Sequence, residues 1–390
     1  MTSDLNSNAP LYIQAKQRLE QMIKSGELRP SDKISPETEL SQKLGISRTT
    51  VRQALRLLEE MGIVVRDRGR GTFISENARD ILSCRIKGSI GFVLPFLDAS
   101  YAADIMAGAT REAAKQGYNL ILRDSENDPG KEAQAIKSLV EHGVEGILLF
   151  PCTERFYSRT VLKLHLDDYP IVMVGRKYSH LPIPAVEADN YNGAREAAEY
   201  LHELGCREFA LISPAVSHMS SVEARLNGYR DVCLERGIPA KTVWIETGHP
   251  EESSIYWERR DVNALENSIA TIQNFLERNP KVDAILTCND LLAVDALKAN
   301  ARLGRRVPDD ISVIGFDDAP FSSQLDPMLT TVRVPRLEMG QAAITVITKL
   351  LQGEMPESLS ICIPTSLVVR GSTIHSSQEK PILAVSVNAI

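Results

Sequence analysis

The chain has 390 residues, of which 43% are hydrophobic and 24% charged, the proportions of a folded protein with two or three domains rather than a disordered one. The net charge of −7 is unevenly placed: residues 1–80 hold 13 Lys+Arg against 11 Asp+Glu, the remainder 31 against 40, so a weakly positive head precedes an acidic body. No run of 18 apolar residues and no basic-then-apolar leader is seen, and the six cysteines form no CxxC pair. The expectation is a cytoplasmic protein away from the membrane, with neither a zinc site nor a disulfide framework.

In chain order, Tyr12, Leu19 and Ile23 stand at helical spacing, and Gly26 with Pro30 stops that first helix. Ser35 reads as the N-cap of a helix over 37–44, with Pro36 at its first position and Gly45 as the left-handed residue that ends it. Ser47 reads as the cap of a third helix whose buried stripe is Val51, Leu55 and Leu58, leaving Arg48, Thr49 and Arg52 on the exposed face. Gly62 ends it. Strands over 63–66 and 72–74 then flank the tip Arg68-Gly69-Arg70-Gly71. A helix whose polar and basic start follows a tight turn suits the major groove, and a basic, glycine-containing hairpin suits the minor groove. The pattern predicts an α+β winged helix-turn-helix over 1–75 that binds double-stranded DNA.

Residues 76–88 carry mixed charge without periodicity and read as a linker. Beyond them, apolar strands over 90–95, 119–123, 146–150, 171–174 and 185–187 alternate with helices such as 102–116 and 131–142. A second set follows at 209–213, 241–246, 284–288 and 312–315. The alternation predicts parallel, doubly wound sheets in two similar subdomains with a cleft between them. Ligands of open α/β sheets bind at the carboxyl ends of strands. Asp124, Arg176, Asn289 and Asp317 stand at such ends and suit the hydroxyls of a polyol, while Trp244, near another strand end, offers a face for stacking on a sugar.

Competing readings are weaker. Asp317-Asp318 are adjacent loop residues, a poor geometry for paired glycosidase acids. Gly69-Arg70-Gly71 lacks the strand–GxGxxG–helix context of a phosphate loop, and no nucleophile motif or HExxH spacing is present. The chain is expected not to be an enzyme and to need no cofactor or metal. Asn289-Asp290 also reads as a plain helix cap, and Arg176 as a surface ion-pair partner.

The run PLYIQ, the segment IKSGELRP, ETEL, SRTTVRQAL and GRGTF resembles, in order, the GntR family of winged-helix regulators. That resemblance implies Arg48 and Arg52 in the major groove, Ser47 and Thr50 on phosphates, and Arg68 and Gly69 in the minor groove. Thr38 stands where the family commonly has an arginine that touches DNA. Farther on, ILTCNDLLAVDAL, VPDDISVIGFDDAPFSSQLDPMLTTVRVP and LVVRGST look like the sensor of the LacI family, built like periplasmic sugar-binding proteins, with coverage of about 88–375. A GntR-type head on a LacI-type sensor is the arrangement of the arabinose-responsive repressors. It implies that Arg225, in R-x-x-G-Y, joins the ligand set, with Tyr101 or Phe321 flanking the ring. Gly175 stands where relatives often have aspartate.

The expectation is thus a homodimeric, allosteric repressor whose operator binding is set by a small polar effector, with sugar favoured. The sensor is expected over 89–375, with subdomain I at about 89–188 and 335–362 and subdomain II at about 189–334 and 363–375. Crossovers are expected near 187–190, 332–336 and 362–365. Residues 376–390 read as a tail.

Overall fold

The computed structural model describes residues 11–67, 70–78, 81, 88–152, 158–178, 181–215, 219–246 and 261–374. The chain divides into two compact units, Met1–Lys87 and Gly88–Ile390.

The first unit is built on α1 (Leu11–Ser25), α2 (Glu37–Leu44), α3 (Arg48–Glu60) and the hairpin β1 (Val64–Asp67) and β2 (Gly71–Ile74). Val51, Leu55 and Leu58 of α3 meet Leu19 and Ile23 of α1, Leu40 of α2 and Ile63, Val64 and Ile74 in one buried core. The hairpin is antiparallel, Val64 facing Ile74 and Asp67 facing Gly71, and a bridge from Lys33 to Phe73 adds a third short segment. Gly45 has φ 67° and closes α2 through Ser41 O. One local expectation is overturned: α2 begins directly after Pro36, which occupies the cap position with φ −51° and ψ 149° and offers no side-chain bond. Ser35 lies one residue too early for its hydroxyl to serve as the N-cap.

The second unit holds two six-stranded sheets. The first takes β3 (Gly88–Leu94), β4 (Tyr118–Asp124), β5 (Gly146–Leu149), β6 (Ile171–Val174), β7 (Ala185–Ala188) and β13 (Ser360–Ile363) in the order β13-β7-β6-β5-β3-β4, with every pairing parallel. The second takes β8 (Phe209–Pro214), β9 (Lys241–Ile245), β10 (Ala284–Thr287), β11 (Ser312–Asp317), β12 (Thr330–Arg333) and β14 (Ser366–Val368) in the order β14-β12-β11-β10-β8-β9. Only β14 runs antiparallel there. Strands β5, β6, β7, β8 and β10 are buried at every position, as parallel strands covered on both faces must be.

Helices α4 (Ser100–Gln116), α5 (Pro129–Glu141), α6 (Arg159–Leu166) and α11 (Arg336–Leu351) serve the first sheet. Helices α7 (Asn190–Glu203), α8 (Ser220–Glu235), α9 (Val262–Arg278) and α10 (Asp290–Arg302) serve the second. Two of these helix pairs touch through glycine. A Cβ on Gly340 of α11 would lie 2.1 Å from Ile105 O of α4, and one on Gly228 of α8 would lie 2.3 Å from Tyr191 O of α7. The chain passes from one lobe to the other between β7 and α7, between β12 and α11, and between β13 and β14. Thr365 Oγ1 donates to Asp189 O at 3.2 Å, tying two of these crossings together. The carboxyl ends of both sheets meet at this seam. Among the described residues no helix is long and apolar enough to cross a membrane.

Candidate functional site

The head offers a basic helix start. Ser47 caps α3 by accepting from Thr50 N at 3.1 Å, and the Ser47 and Thr50 hydroxyls lie 2.7 Å apart, so both are fixed side by side at the helix N-terminus. Arg48 and Thr49 are exposed beside them. Arg52 is held differently: its Nη2 lies 2.7 Å and its Nε 3.0 Å from Glu37 Oε2 on α2. The hydrogen bonds from Arg52 hold the Glu37 carboxyl below its usual range against the opposing effect of burial, with the charges of Arg66 and Arg48 adding to the shift. Three guanidiniums therefore share one surface. At the wing, Arg70 pairs with Asp67 at 3.3 Å, and Gly71 has φ 128° with its Cβ position 2.7 Å from Lys33 Cε. Arg68 and Gly69 lie outside the described residues.

In the body, the residues expected at strand ends separate into two groups. Arg225, in the second turn of α8, is the centre of the first. Its guanidinium lies 3.7 Å from the Phe316 ring centroid, its Nε donates to Asn190 Oδ1 at 2.8 Å, its Nη1 donates to Cys288 O, and its Nη2 lies 3.4 Å from Asp317 Oδ1. Asp317 has φ 115° at the end of β11, a left-handed backbone rare outside glycine that costs about 1–3 kcal/mol and marks a held position. From the other lobe come Tyr101, Phe150 and Arg176. Tyr101 and Phe150 rings lie 6.1 Å apart, and Arg176, 2% exposed, lies 5.1 Å from the Phe150 centroid.

The Tyr101 phenol titrates above its usual range, first through burial and then through the charge of Asp317, opposed by Arg225, Arg336 and Arg176. One hydroxyl thus feels charged groups from both lobes. Tyr101, Arg176, Arg225 and Asp317 converge.

Asn289 caps α10 by accepting from Leu292 N at 2.8 Å and is 4% exposed, so the plain capping role is real. Asp124 is occupied by the backbone: Oδ2 accepts from Leu97 N at 3.1 Å and Oδ1 from Glu126 N at 2.7 Å. That fastens the loop after β3 to the end of β4, a loop-holding role the strand-end argument did not foresee. Trp244 lies on the edge strand β9, 42% exposed between buried Val243 and Ile245. Phe321 sits half-buried in a short 3-10 helix over Pro320–Ser323. Gly175 has φ 76°, and a Cβ there would lie 3.0 Å from the Phe150 ring, so a side chain at that place would be strained and crowded.

Sequence reasoning missed three contributors. Arg336 reaches Asp104, Asp317 and Asp318, Asn190 orients Arg225, and Asp290 fastens the loop behind Asp317. Asp290 is 1% exposed and accepts from Ala319 N at 2.7 Å, Ser322 Oγ at 2.6 Å and Thr331 Oγ1 at 2.5 Å. The Asn-Asp pair at a strand end was the visible signal for Asp290. Arg336, following Pro335 at a helix start, carried none. Among the described residues no group of His, Cys, Asp or Glu is arranged to hold a metal.

Residues 11–74 match the model of bacterial regulatory proteins of the gntR family, and residues 198–373 match the periplasmic binding protein-like domain. The arabinose metabolism transcriptional repressor of Geobacillus stearothermophilus is 30% identical over 372 residues, spanning 93% of this chain and 98% of that protein. The chain belongs to the transcriptional repressors that carry a GntR-type head on a LacI-type body. The repressor of the same name from Halalkalibacterium halodurans is 26% identical over 381 residues, covering 95% of this chain and 98% of its own. The solved structure of the regulator CcpA of Lactococcus lactis superposes with a TM-score of 0.62 at 25% identity, over 74% of this chain and 99% of that one. The GntR-headed repressor is thus a DNA-binding regulator and not an enzyme, and its family pairs operator DNA with small-molecule effectors.

Proposed function

We propose that this repressor is a homodimer whose operator affinity is set by a monosaccharide bound between the two lobes of its body. The observation that carries the reading is that Arg336 lies 5.6 Å from the Tyr101 ring and bonds Asp317 O at 2.6 Å, joining Tyr101, Phe150 and Arg176 of one lobe to Asp317 and Arg225 of the other. A carboxylate and guanidiniums fixed at strand ends supply the paired acceptors and donors that orient vicinal hydroxyls. The rings of Phe316, Phe150 and Tyr101 each have a guanidinium near them, from Arg225, Arg176 and Arg336. That leaves polar edges rather than an open aromatic slot, which favours a polyol over a flat base. Because relatives are named for arabinose metabolism, arabinose is the first sugar to test.

The head acts at 1–75, the linker at 76–88 and the sensor at 89–375, with the three crossings as the hinge. In the dimer two heads face the half-sites of a pseudo-palindromic operator, with Arg48 and Arg52 reading the major groove and the wing with Arg70 near the minor groove. The test is thermal stability of the purified protein across monosaccharides, disaccharides, sugar phosphates and purines. A ligand at 100 times its dissociation constant adds about 2.7 kcal/mol, an unmistakable shift in melting point. A stabilising monosaccharide is expected; a response to purines alone overturns the sugar assignment.

A further inference from the structure

Arg336 is out of place by every local rule. It is the first residue of α11, a 16-residue helix, where the helix dipole disfavours a cation, and it is 7% exposed. Its three nitrogens are nevertheless all used. Nε donates to Asp104 Oδ2 on α4 at 3.1 Å, Nη1 to Asp317 O at 2.6 Å and Nη2 to Asp318 O at 3.3 Å, while the guanidinium lies 5.6 Å from the Tyr101 centroid. Asp104 and Tyr101 belong to the first sheet's lobe and the two carbonyls to the second's.

The carbonyls it grips are also unusual. Asp317 and Asp318 are consecutive non-glycine residues with φ of 115° and 51°, a strained pair that persists only where the surroundings hold it. The Asp318 carboxylate is held as well, by Arg333 at 2.7 Å and Arg370 at 2.6 Å. A planar fork with fixed donors can hold two successive carbonyls and a carboxylate together; a lysine ammonium cannot reproduce that geometry.

We propose that Arg336 is a positioning residue for the effector site: a cross-lobe clasp that fixes the strained Asp317–Asp318 backbone and links it to the start of α4. The proposal rests on the reading of the seam as the effector cleft. Any ligand that draws on Asp317 or Tyr101 then pulls on Arg336, and through it on α4 and α11, which are packed too closely at Gly108 and Gly340 to move separately. Asp104 at one end and the two carbonyls at the other make the clasp separable into halves.

The test is amide hydrogen exchange on the full-length protein without ligand, which keeps it independent of whether any sugar in the panel binds. The reporters are the amides of Asp318, Ala319 and Ser322, bonded to Thr331, Asp290 and Ala319, and those of Ala102 and Ala103 at the start of α4. Arg336→Ala is expected to speed exchange at both places by about tenfold, the loss of charge-assisted hydrogen bonds. Arg336→Lys is expected to restore protection at α4 through Asp104 while leaving the 318–322 amides fast. Should Arg336→Ala not fold, Arg336→Lys and Asp104→Asn decide, the latter loosening only the α4 end. Wild-type exchange at 318–322 in Arg336→Lys, or equal loosening along the whole of α11, overturns the proposal.

Discussion

Arg52 of α3 donates to both oxygens of Glu37, at 3.2 Å to Oε1 and 2.7 Å to Oε2, so the arginine proposed to read the major groove is tied to the preceding helix. Arg52 is exposed and Glu37 half-buried, so the value of the pair lies in orientation more than in stability. Glu37→Gln removes the charge that restrains Arg52 and leaves its guanidinium free to find a phosphate. Non-specific duplex affinity is expected to rise, with the slope of log affinity against log salt steeper by about one unit. Fluorescence anisotropy on a random duplex at several salt concentrations checks it.

Arg48 is exposed at the start of the same helix. Arg48→Ala is expected to cost about 1–3 kcal/mol in operator binding and to relax preference at one base position. Sugar affinity should stay as in the wild type. Binding-site selection followed by anisotropy measures both, and unchanged operator affinity removes Arg48 from the groove.

Asp317→Ala should abolish the response to effector while operator binding persists, because the carboxylate lies beside Arg225 and not in the head. Calorimetry with the stabilising sugar and anisotropy with the operator separate the two activities.

Much of this was legible beforehand. Helix periodicity and capping placed α3, since Ser47 and the Val51–Leu55–Leu58 stripe are local signals. Apolar runs marked β5 to β8 and β10 because buried parallel strands have no polar face to confuse them. Strands β12, β13 and β14 were not foreseen. Ser360–Ile363 and Ser366–Val368 are short and partly exposed, and their partners lie far away in sequence. The candidate site followed the same division. Arg225 and Asp317, singled out by motif and strand end, lie together in the structure, whereas Arg336 reaches Asp317 while holding Asp104, 232 residues distant in sequence. Asp124 shows that a strand-end carboxylate satisfies loop amides as readily as it would sugar hydroxyls, which strand position alone does not distinguish.

The close crossing of α4 and α11 gives a stability prediction. Gly340→Ala places a methyl 2.1 Å from Ile105 O and 2.7 Å from Ala109 N, both backbone atoms that cannot step aside. A loss of about 1–3 kcal/mol is expected from overpacking. Urea unfolding measures it; a neutral change means the helices can separate.

Asp290 sets a pH dependence. Burial, then the charge of Asp317, raises its carboxyl from 3.8 to about 7 against the hydrogen bonds from Ser322, Thr331 and Ala319. The folded state therefore binds the proton more tightly than the unfolded state. This contribution to stability is full below the unfolded value of 3.8 and is lost as pH rises through about 7. Asp290→Asn is expected to lose less stability than the wild type between pH 5 and pH 8 (roughly the span in which a carboxyl of that pKa titrates). Parallel slopes in urea titrations would contradict the assignment.

The most direct measurement is operator binding, by anisotropy, of the wild type and Asp317→Ala in the presence of arabinose and the other panel sugars. One sugar should change wild-type operator affinity by about 5–150-fold, the usual range of coupling between two sites, and should leave Asp317→Ala unmoved. A sugar that binds the body yet leaves operator affinity unchanged, or one that acts equally on Asp317→Ala, would contradict control through this cleft.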